Sequence, residues 1–152
     1  MKKFKKILWP TDFSNPSYKA LETALDLAAA YRAELVLLHV VPPMPSLSGP
    51  ELPGSFDAGR FQSALEKSAA RSMDDVKKKR IPRGVRVQSL IVPGSPAHEI
   101  VGVAEKKHVD LIVIATHGQA GFKHLLFGSV AEKVMRHATV PILIIHSRRS
   151  KK

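Results

Sequence analysis

Cysteine is absent from this sequence, and aromatic residues make up only 6% of it. Without cysteine the chain can form neither disulfides nor a thiolate metal site, and the simplest compartment for such a protein is the cytoplasm. No apolar run approaches the roughly 20 residues that span a bilayer. The apolar stretch 7–9 behind the N-terminal lysines ends at Pro10, which is too short for a secretory signal. We therefore expect a cytoplasmic protein that does not enter the membrane.

Several sequence motifs of enzymes are also missing. Neither G-x-x-x-x-G-K-[ST] nor G-x-G-x-x-G occurs, so the usual P-loop ATPases and dinucleotide-binding proteins are disfavoured. No nucleophile elbow and no H-E-x-x-H motif is present, and the seven histidines do not form a ligand set. We expect neither a catalytic residue nor a metal ligand among the side chains of this chain.

The residues that are present suit one compact domain spanning 1–152, because 44% of the 152 residues are apolar and 24% are charged. The net charge is +11, and residues 1–6 and 147–152 at the two ends supply eight of these charges. We expect the ends to be flexible at about 1–5 and 147–152. The eight residues are Lys2, Lys3, Lys5, Lys6, Arg148, Arg149, Lys151 and Lys152. Such ends favour weak, salt-dependent contact with nucleic acid, and no specific nucleic-acid recognition is expected.

Apolar periodicity alternates between strand and helix along the chain. Runs of strand length occupy 6–9, 34–41, 85–92, 110–115 and 140–145, and helical spacing occupies 14–31, 60–80, 96–107 and 128–137. Five prolines and three glycines interrupt any period between 42 and 59, which predicts a surface loop or lid there.

This alternation predicts an α/β fold with a single open parallel five-stranded sheet and helices on both faces, because parallel neighbours need crossover connections. The strand order 3-2-1-4-5 would place a switch point between the first and fourth strands. Ligands of such sheets bind beyond the carboxyl ends of the strands at that point. The segments 10–14 and 115–129 emerge there.

The segment after the fourth predicted strand has the composition of a phosphate cradle. Gly118 and Gly121 follow the strand, and Gly128-Ser129 opens the next helix. Glycines let the backbone approach an anion, the amides at a helix start attract it, and the Ser129 hydroxyl adds a donor. On spacing alone, glycines that serve a turn and a serine that caps the helix explain the pattern equally well.

The stretch 115–145 resembles the C-terminal half of universal stress proteins, whose nucleotide-binding members carry G-x2-G-x9-G-[ST]. Gly118, nine intervening residues and Gly128-Ser129 match the second half of this motif. The segments 7–14, 34–40, 129–134 and 140–145 are also similar to that family. The resemblance runs in order over nearly the whole chain and implies the adenine nucleotide alpha hydrolase-like fold.

The resemblance implies ATP as the ligand, with Mg²⁺ or Mn²⁺ arriving with the nucleotide. It places Asp12 toward the ribose, Val40 against the adenine through its backbone, and the glycine motif around the phosphates. The implied binding residues are Pro10, Thr11, Asp12, Val40, Ala115, Thr116, His117, Gly118, Gly128, Ser129 and Val130. A second role stays open for Asp12, because its side chain is also placed to bond amides of a turn or helix cap.

The chain departs from the family motif at its first glycine, which is Ala115 here. If that position requires a positive φ, alanine costs ~1–2 kcal/mol, which would weaken binding roughly ten-fold. If φ is negative there, the methyl group is tolerated. The sequence leaves both outcomes open.

The leading hypothesis is a dimeric stress-response or regulatory protein that binds ATP. The resemblance implies that the apolar edge strand 140–145 pairs with its twin in a homodimer. Because no general base is positioned beside the phosphates, we expect at most slow ATP hydrolysis. The alternatives are a dimeric interaction protein of the same fold without nucleotide, a weak nucleic-acid binder acting through its basic ends, and an enzyme of the broader adenine nucleotide hydrolase type. Ala115 favours the first alternative.

Overall fold

The computed structural model describes residues 3–43, 57–116 and 128–146. Strands and helices alternate along these residues, as the periodicity predicts. The strands are β1 (Lys6–Pro10), β2 (Glu34–Val41), β3 (Val87–Pro93), β4 (Leu111–Ala115) and β5 (Ile142–Ile145). The helices are α1 (Asn15–Tyr31), α2 (Ala58–Arg80), α3 (Pro96–Lys106) and α4 (Ser129–His137). Most of the predicted loop at 42–59 and the C-terminal basic end at 147–152 lie outside the described residues.

The five strands form one parallel sheet in the order β3-β2-β1-β4-β5, which confirms the predicted topology. β1 lies in the centre and pairs with β2 from Lys6–Glu34 to Pro10–Leu38. The chain therefore builds the sheet outward from β1 to β3, and then returns to the other side of β1 to add β4 and β5.

Each face of the sheet carries its own apolar core, which confirms that helices cover both faces. Alternate residues of a strand point to opposite faces. On one face Trp9, Leu37 and Val113 pack with α1 and α2, and on the other face Leu8 and Ile112 pack with α3 and α4. Because both faces are buried, the strands are near-continuous apolar runs.

Several boundaries differ from the predicted ones for local reasons. α2 begins two residues earlier than predicted, so Ala58 and Gly59 belong to the helix rather than to the loop. The cause is the Asp57 carboxylate, which caps the helix and accepts a hydrogen bond from the amide of Arg60 at 3.1 Å. β1 includes Pro10, which pairs with Leu38 although it has no amide to donate. β3 begins at Val87 and β5 at Ile142, two residues later than predicted.

Phe4 and Lys5, which were expected to belong to a flexible end, make specific contacts. The Phe4 ring meets Tyr31 of α1 edge-on, with 5.1 Å between the ring centroids. The amide of Lys5 donates to a carboxylate oxygen of Asp110 at 2.8 Å. The segment before β1 is thus tied to α1 and to the start of β4. None of the helices in the described residues is long and apolar enough to cross a membrane.

The contribution of the central core is testable at Leu37, whose side chain is completely buried between β1 and β3. We expect Leu37→Ala to lower the free energy of unfolding by about 2–5 kcal/mol, because transfer and cavity costs add. The matched control is Leu65→Ala on α2, where the side chain is 37% exposed and the expected change is within about 0.5 kcal/mol. Urea unfolding followed by circular dichroism measures both, and equal losses would contradict this description of the core.

Candidate functional site

The carboxyl edge of the sheet opens at the predicted switch point between β1 and β4. Backbone pairing between these strands joins Ile7 to Leu111 and Leu8 to Ile112. The last residues of β1 and of β4 lie beyond these pairs. A ligand entering from this edge would therefore meet the ends of both strands, which is where ligands of open α/β sheets bind.

Thr11 fixes the turn that follows β1. Its amide donates to the carbonyl oxygen of Leu38 on β2 at 2.8 Å, which continues the sheet by one bond. Its buried hydroxyl accepts a hydrogen bond from the Phe13 amide at 2.9 Å and another from the Ser17 hydroxyl at 2.7 Å. These bonds hold the turn against the first turn of α1, with Phe13 in the left-handed region at φ 61°.

Asp12 points its side chain back into the same turn. One of its carboxylate oxygens accepts a hydrogen bond from the Ser14 amide at 3.0 Å, and the Ser14 hydroxyl in turn caps α1 by accepting from the Ser17 amide at 3.4 Å. The turn role that stayed open for Asp12 in the sequence is therefore present in the structure. The side chain is half-buried and lies at the carboxyl edge, just past the end of β1.

Val40 lies on β2 just past the end of β1. The Leu38 carbonyl faces β1, since it accepts the Thr11 amide. Backbone groups two residues apart in a strand point to the same side, so the amide and carbonyl of Val40 also face that side, beyond the last residue of β1. The Val40 side chain is buried in the core beneath α3 and α4. Val40 therefore exposes its backbone, and not its side chain, at the carboxyl edge.

The end of β4 and the start of α4 are joined directly. The Gly128 amide donates to the carbonyl oxygen of Thr116 at 2.5 Å, and the Thr116 amide donates to Ile145 of β5 at 3.1 Å. The flanks of the glycine-bearing segment therefore meet at one point, beside the ends of β1 and β4. His117 and Gly118, two of the predicted phosphate contacts, lie outside the described residues.

Ala115 is the last residue of β4 and pairs with Ile145. Among the described residues other than glycine, a positive φ occurs at Phe13, Arg32 and His108, and Ala115 is not one of them. The backbone at the first motif position therefore does not require glycine. Of the two outcomes that the sequence leaves open, the structure supports the one in which the methyl group causes no backbone strain.

No side chain among the described residues caps the amino end of α4. Gly128 is the cap residue, with φ −66° and ψ 150°, and the first amide to bond within the helix is that of Glu132, which donates to Gly128 at 3.0 Å. The helix amides ahead of it, from Ser129 onward, have no acceptor inside the helix. In α1, by contrast, a serine hydroxyl occupies this position. The Ser129 side chain is exposed at the edge, and Val130 packs partly against the core.

Two histidines at this edge escaped the sequence analysis. His39 shares a hydrogen bond of 2.8 Å between its Nδ1 atom and the Thr11 carbonyl oxygen, and its ring stacks on Phe13 at 4.6 Å. Because a carbonyl oxygen only accepts, Nδ1 carries the proton. His146 places Nδ1 3.3 Å from the Thr116 hydroxyl. His39 could have been noticed in the sequence, because it is the one polar residue inside the apolar run 35–41 of β2.

No group of three or more histidine, aspartate or glutamate side chains is arranged to hold a metal ion within residues 3–43, 57–116 and 128–146. Besides the two histidines, the described part of the site consists of backbone amides, hydroxyls and one carboxylate, Asp12. Such a set suits an anionic, hydroxyl-rich ligand.

Comparison with known proteins shows likeness over nearly the full length of the chain. It is 37% identical over 142 residues to universal stress protein MJ0531 of Methanocaldococcus jannaschii, covering 93% of this chain and 82% of that protein. It is 35% identical over 146 residues to universal stress protein YxiE of Bacillus subtilis, covering 93% and 99%. The solved structure of MJ0577, also from M. jannaschii, superposes with a TM-score of 0.85 at 33% identity, covering 98% and 100%.

Two further solved structures share this fold and hold nucleotides. One is a universal stress protein in complex with cAMP, at 23% identity and a TM-score of 0.64, covering 95% of this chain and 98% of that one. The other is the universal stress protein from Archaeoglobus fulgidus in complex with dAMP, at 18% identity and a TM-score of 0.61, covering 94% and 98%. The profile of the Universal stress protein family matches residues 3–146, and the chain belongs to this family.

Proposed function

We propose that this protein binds ATP at the carboxyl ends of β1 and β4 and acts as a dimeric stress-response or regulatory protein with little or no catalysis. The observation that carries the proposal is the amino end of α4. No side chain of residues 3–43, 57–116 and 128–146 caps it, and it is hydrogen-bonded through Gly128 to the end of β4 at the switch point.

The phosphates are assigned to the start of α4. Uncapped helix amides together with the helix dipole attract an anion. Gly128 has no side chain to block its approach, and Ser129 adds an exposed hydroxyl at the first helical position. Ala115 and Thr116, at the end of β4, border the proposed phosphate position. His117 and Gly118, which follow them in the chain, are assigned to the same position.

The adenosine is assigned to the end of β1. The backbone of Val40 faces the space beyond β1, where its amide and carbonyl suit the hydrogen-bonding edge of a purine. Pro10 and Thr11 form the floor next to it, and Asp12 is placed to accept from a ribose hydroxyl. The hydrogen bonds of Thr11 hold this region in place before any ligand arrives.

Related structures support a nucleotide rather than some other anion. Proteins of this fold hold cAMP and dAMP, both of which contain adenine, a sugar and phosphate. Because their identity to this chain is low, these proteins support only the ability of the fold to hold an adenine nucleotide. The choice of ATP, and of Mg²⁺ or Mn²⁺ as its companion, rests on the motif around Gly118 and Gly128.

The dimer is assigned to β5, which forms one edge of the sheet. The carbonyls of Pro141 and Ile145 accept amides from β4, so the backbone of Ile142 and Ile144 faces the open side. Leu143 is 36% exposed. An apolar edge strand with open backbone groups is suited to pairing with a second copy across a two-fold axis.

The first test is ATP binding by the full chain and by Asp12→Asn. Asparagine keeps an oxygen for the Ser14 amide but replaces the second carboxylate oxygen with a donor, so the turn stays and a ribose acceptor is lost. We expect saturable ATP binding in calorimetry, weakened about ten-fold by Asp12→Asn. Asp26→Asn, an exposed change of the same charge on α1, should bind as the unchanged chain does. No saturable signal at millimolar ATP would reject the proposal in favour of an interaction protein without nucleotide.

Ala115→Gly tests the departure from the family motif. Because the backbone at this position is extended and φ is not positive, we expect ATP affinity to change by less than about three-fold. An increase of ten-fold or more in the same calorimetric assay would show that the methyl group obstructs the nucleotide.

Leu143→Asp tests the dimer. A charge on this exposed side chain would face its twin across the two-fold axis, and like charges on paired strands repel. Light scattering should give the dimer mass for the unchanged chain and the monomer mass for the variant. Leu65→Asp, on the exposed half of α2, serves as the control and should remain dimeric. A variant of unchanged mass would place the interface elsewhere.

A further inference from the structure

The edge of the sheet opposite the proposed nucleotide site is strongly basic. All five strands begin at this edge, and the chain reaches it from the carboxyl ends of the helices. We define the amino edge as residues 3–6, 32–34, 83–86 and 105–110, which lead into β1, β2, β3 and β4. Eight cationic residues lie there against three acidic ones: Lys3, Lys5, Lys6, Arg32, Arg83, Arg86, Lys106 and Lys107 against Glu34, Glu105 and Asp110.

Hydrogen bonds join the first and last of these segments. The Lys6 ammonium donates to the carbonyl oxygen of Lys107 at 3.0 Å. The carboxylate of Asp110 accepts from the amides of Lys5 and Lys6 at 2.8 and 3.0 Å. The segment before β1 is therefore fixed against the end of α3 and the start of β4.

The other two segments continue the same row. The Glu34 amide donates to the carbonyl oxygen of Lys5 at 2.9 Å, and the Arg86 guanidinium donates to the carbonyl oxygen of Arg32 at 3.0 Å. Four neighbouring strands are about 14 Å wide at the usual spacing. The amino edge is thus one continuous surface, with cationic residues along its whole width.

Few of these charges are neutralised. Lys6 lies 3.8 Å from Glu34. The exposed side chains of Lys5, Arg83 and Lys106 have no carboxylate within 4.0 Å among the described residues. The basic last turn of α2 differs in this respect. Lys77 pairs with Asp74 and Lys79 with Asp75, and the hydrogen bond and charge of Lys77 lower the pKa of Asp74, so that this carboxyl stays ionised.

The excess charge of the described residues lies at the amino edge and in the segment 74–80. Outside the amino edge and the segment 74–80, they include six cationic and seven acidic residues. The expectation that the positive charge lies mainly in flexible ends is therefore incomplete. Lys3, Lys5 and Lys6 belong to a folded surface, to which the arginines before β2 and β3 and the lysines at the end of α3 contribute.

We propose that the amino edge docks onto the phosphate backbone of a nucleic-acid duplex without reading its sequence. A duplex carries one charge per about 1.7 Å of its axis, so an edge of this width faces several phosphates. The large apolar side chains exposed among the described residues are Phe61, Leu65, Met135 and Leu143. All lie outside the amino edge, which therefore has nothing to insert into a lipid surface. Phe4 and Tyr31 pack on each other, and neither is free to stack on the bases of a single strand.

The test compares two triple variants of the full chain that lose the same charge. The edge variant is Lys5→Gln, Arg83→Gln and Lys106→Gln, and the control variant is Lys19→Gln, Lys67→Gln and Arg71→Gln on α1 and α2. All six side chains are exposed. Fluorescence anisotropy measures binding to a labelled DNA duplex of about 20 base pairs over a series of KCl concentrations, with an RNA duplex and a single strand as parallel probes. Both variants keep the terminal basic residues 147–152.

We expect the edge variant to bind the DNA duplex about ten-fold more weakly, with a salt slope shallower by roughly 2.7, because each lost phosphate contact removes about 0.9. The control variant should stay within about two-fold of the unchanged chain. ATP at matched ionic strength should leave duplex binding unchanged, since the nucleotide is assigned to the opposite edge.

Four results would overturn the inference. They are equal losses in the two triple variants, displacement of the duplex by ATP, no duplex binding by the unchanged chain, and an edge variant that loses binding to phosphatidylserine vesicles but not to the duplex. Failure of ATP binding alone would reject the proposed nucleotide site and leave the amino edge unaffected.

Discussion

The central position of β1 is the constraint on which the other features depend. Because β1 pairs with β2 on one side and β4 on the other, the chain must reverse its direction of travel across the sheet after β3. With crossovers of one hand, that reversal sends α1 and α2 to one face and α3 and α4 to the other, so both faces of β1 are buried. The same reversal leaves the ends of β1 and β4 side by side without a connection between them. The core and the candidate site thus have one origin.

The hydrogen bond from the Gly128 amide to the Thr116 carbonyl has a comparable role at the carboxyl edge. It sets where α4 begins relative to β4 and so places the first helical turn beside the end of β4. A residue with a capping side chain at 128 would occupy those amides itself, as Ser14 does in α1. Glycine at this position therefore keeps the helix start available, and its φ of −66° shows that the reason is not backbone conformation.

Much of this architecture could be predicted from the sequence because it depends on pattern. A parallel sheet with helices on both faces can be predicted from three patterns: near-continuous apolar runs, apolar stripes at helical spacing, and the order of strands and helices. Boundaries that depend on one side chain could not be predicted, as the Asp57 cap on α2 shows. The turn bond of Asp12 was foreseen, whereas the contact of His39 with Thr11 was not, because it joins residues 28 positions apart in the chain. The φ of Ala115 likewise depends on its pairing with β5.

Some of the cations at the amino edge can be explained by their contribution to stability. The negative charge available there limits how many of them this explanation covers. Helices that end at this edge place partial negative charge there, and lysine or arginine nearby offsets it. Each helix end contributes about half a charge, so the ends of all four helices, including that of α4 before β5, amount to at most about two negative charges. The three acidic residues of the edge bring the total to roughly five, against eight cationic residues. About three positive charges therefore remain without a structural counterpart. They are concentrated at the edge of the sheet opposite the proposed nucleotide site.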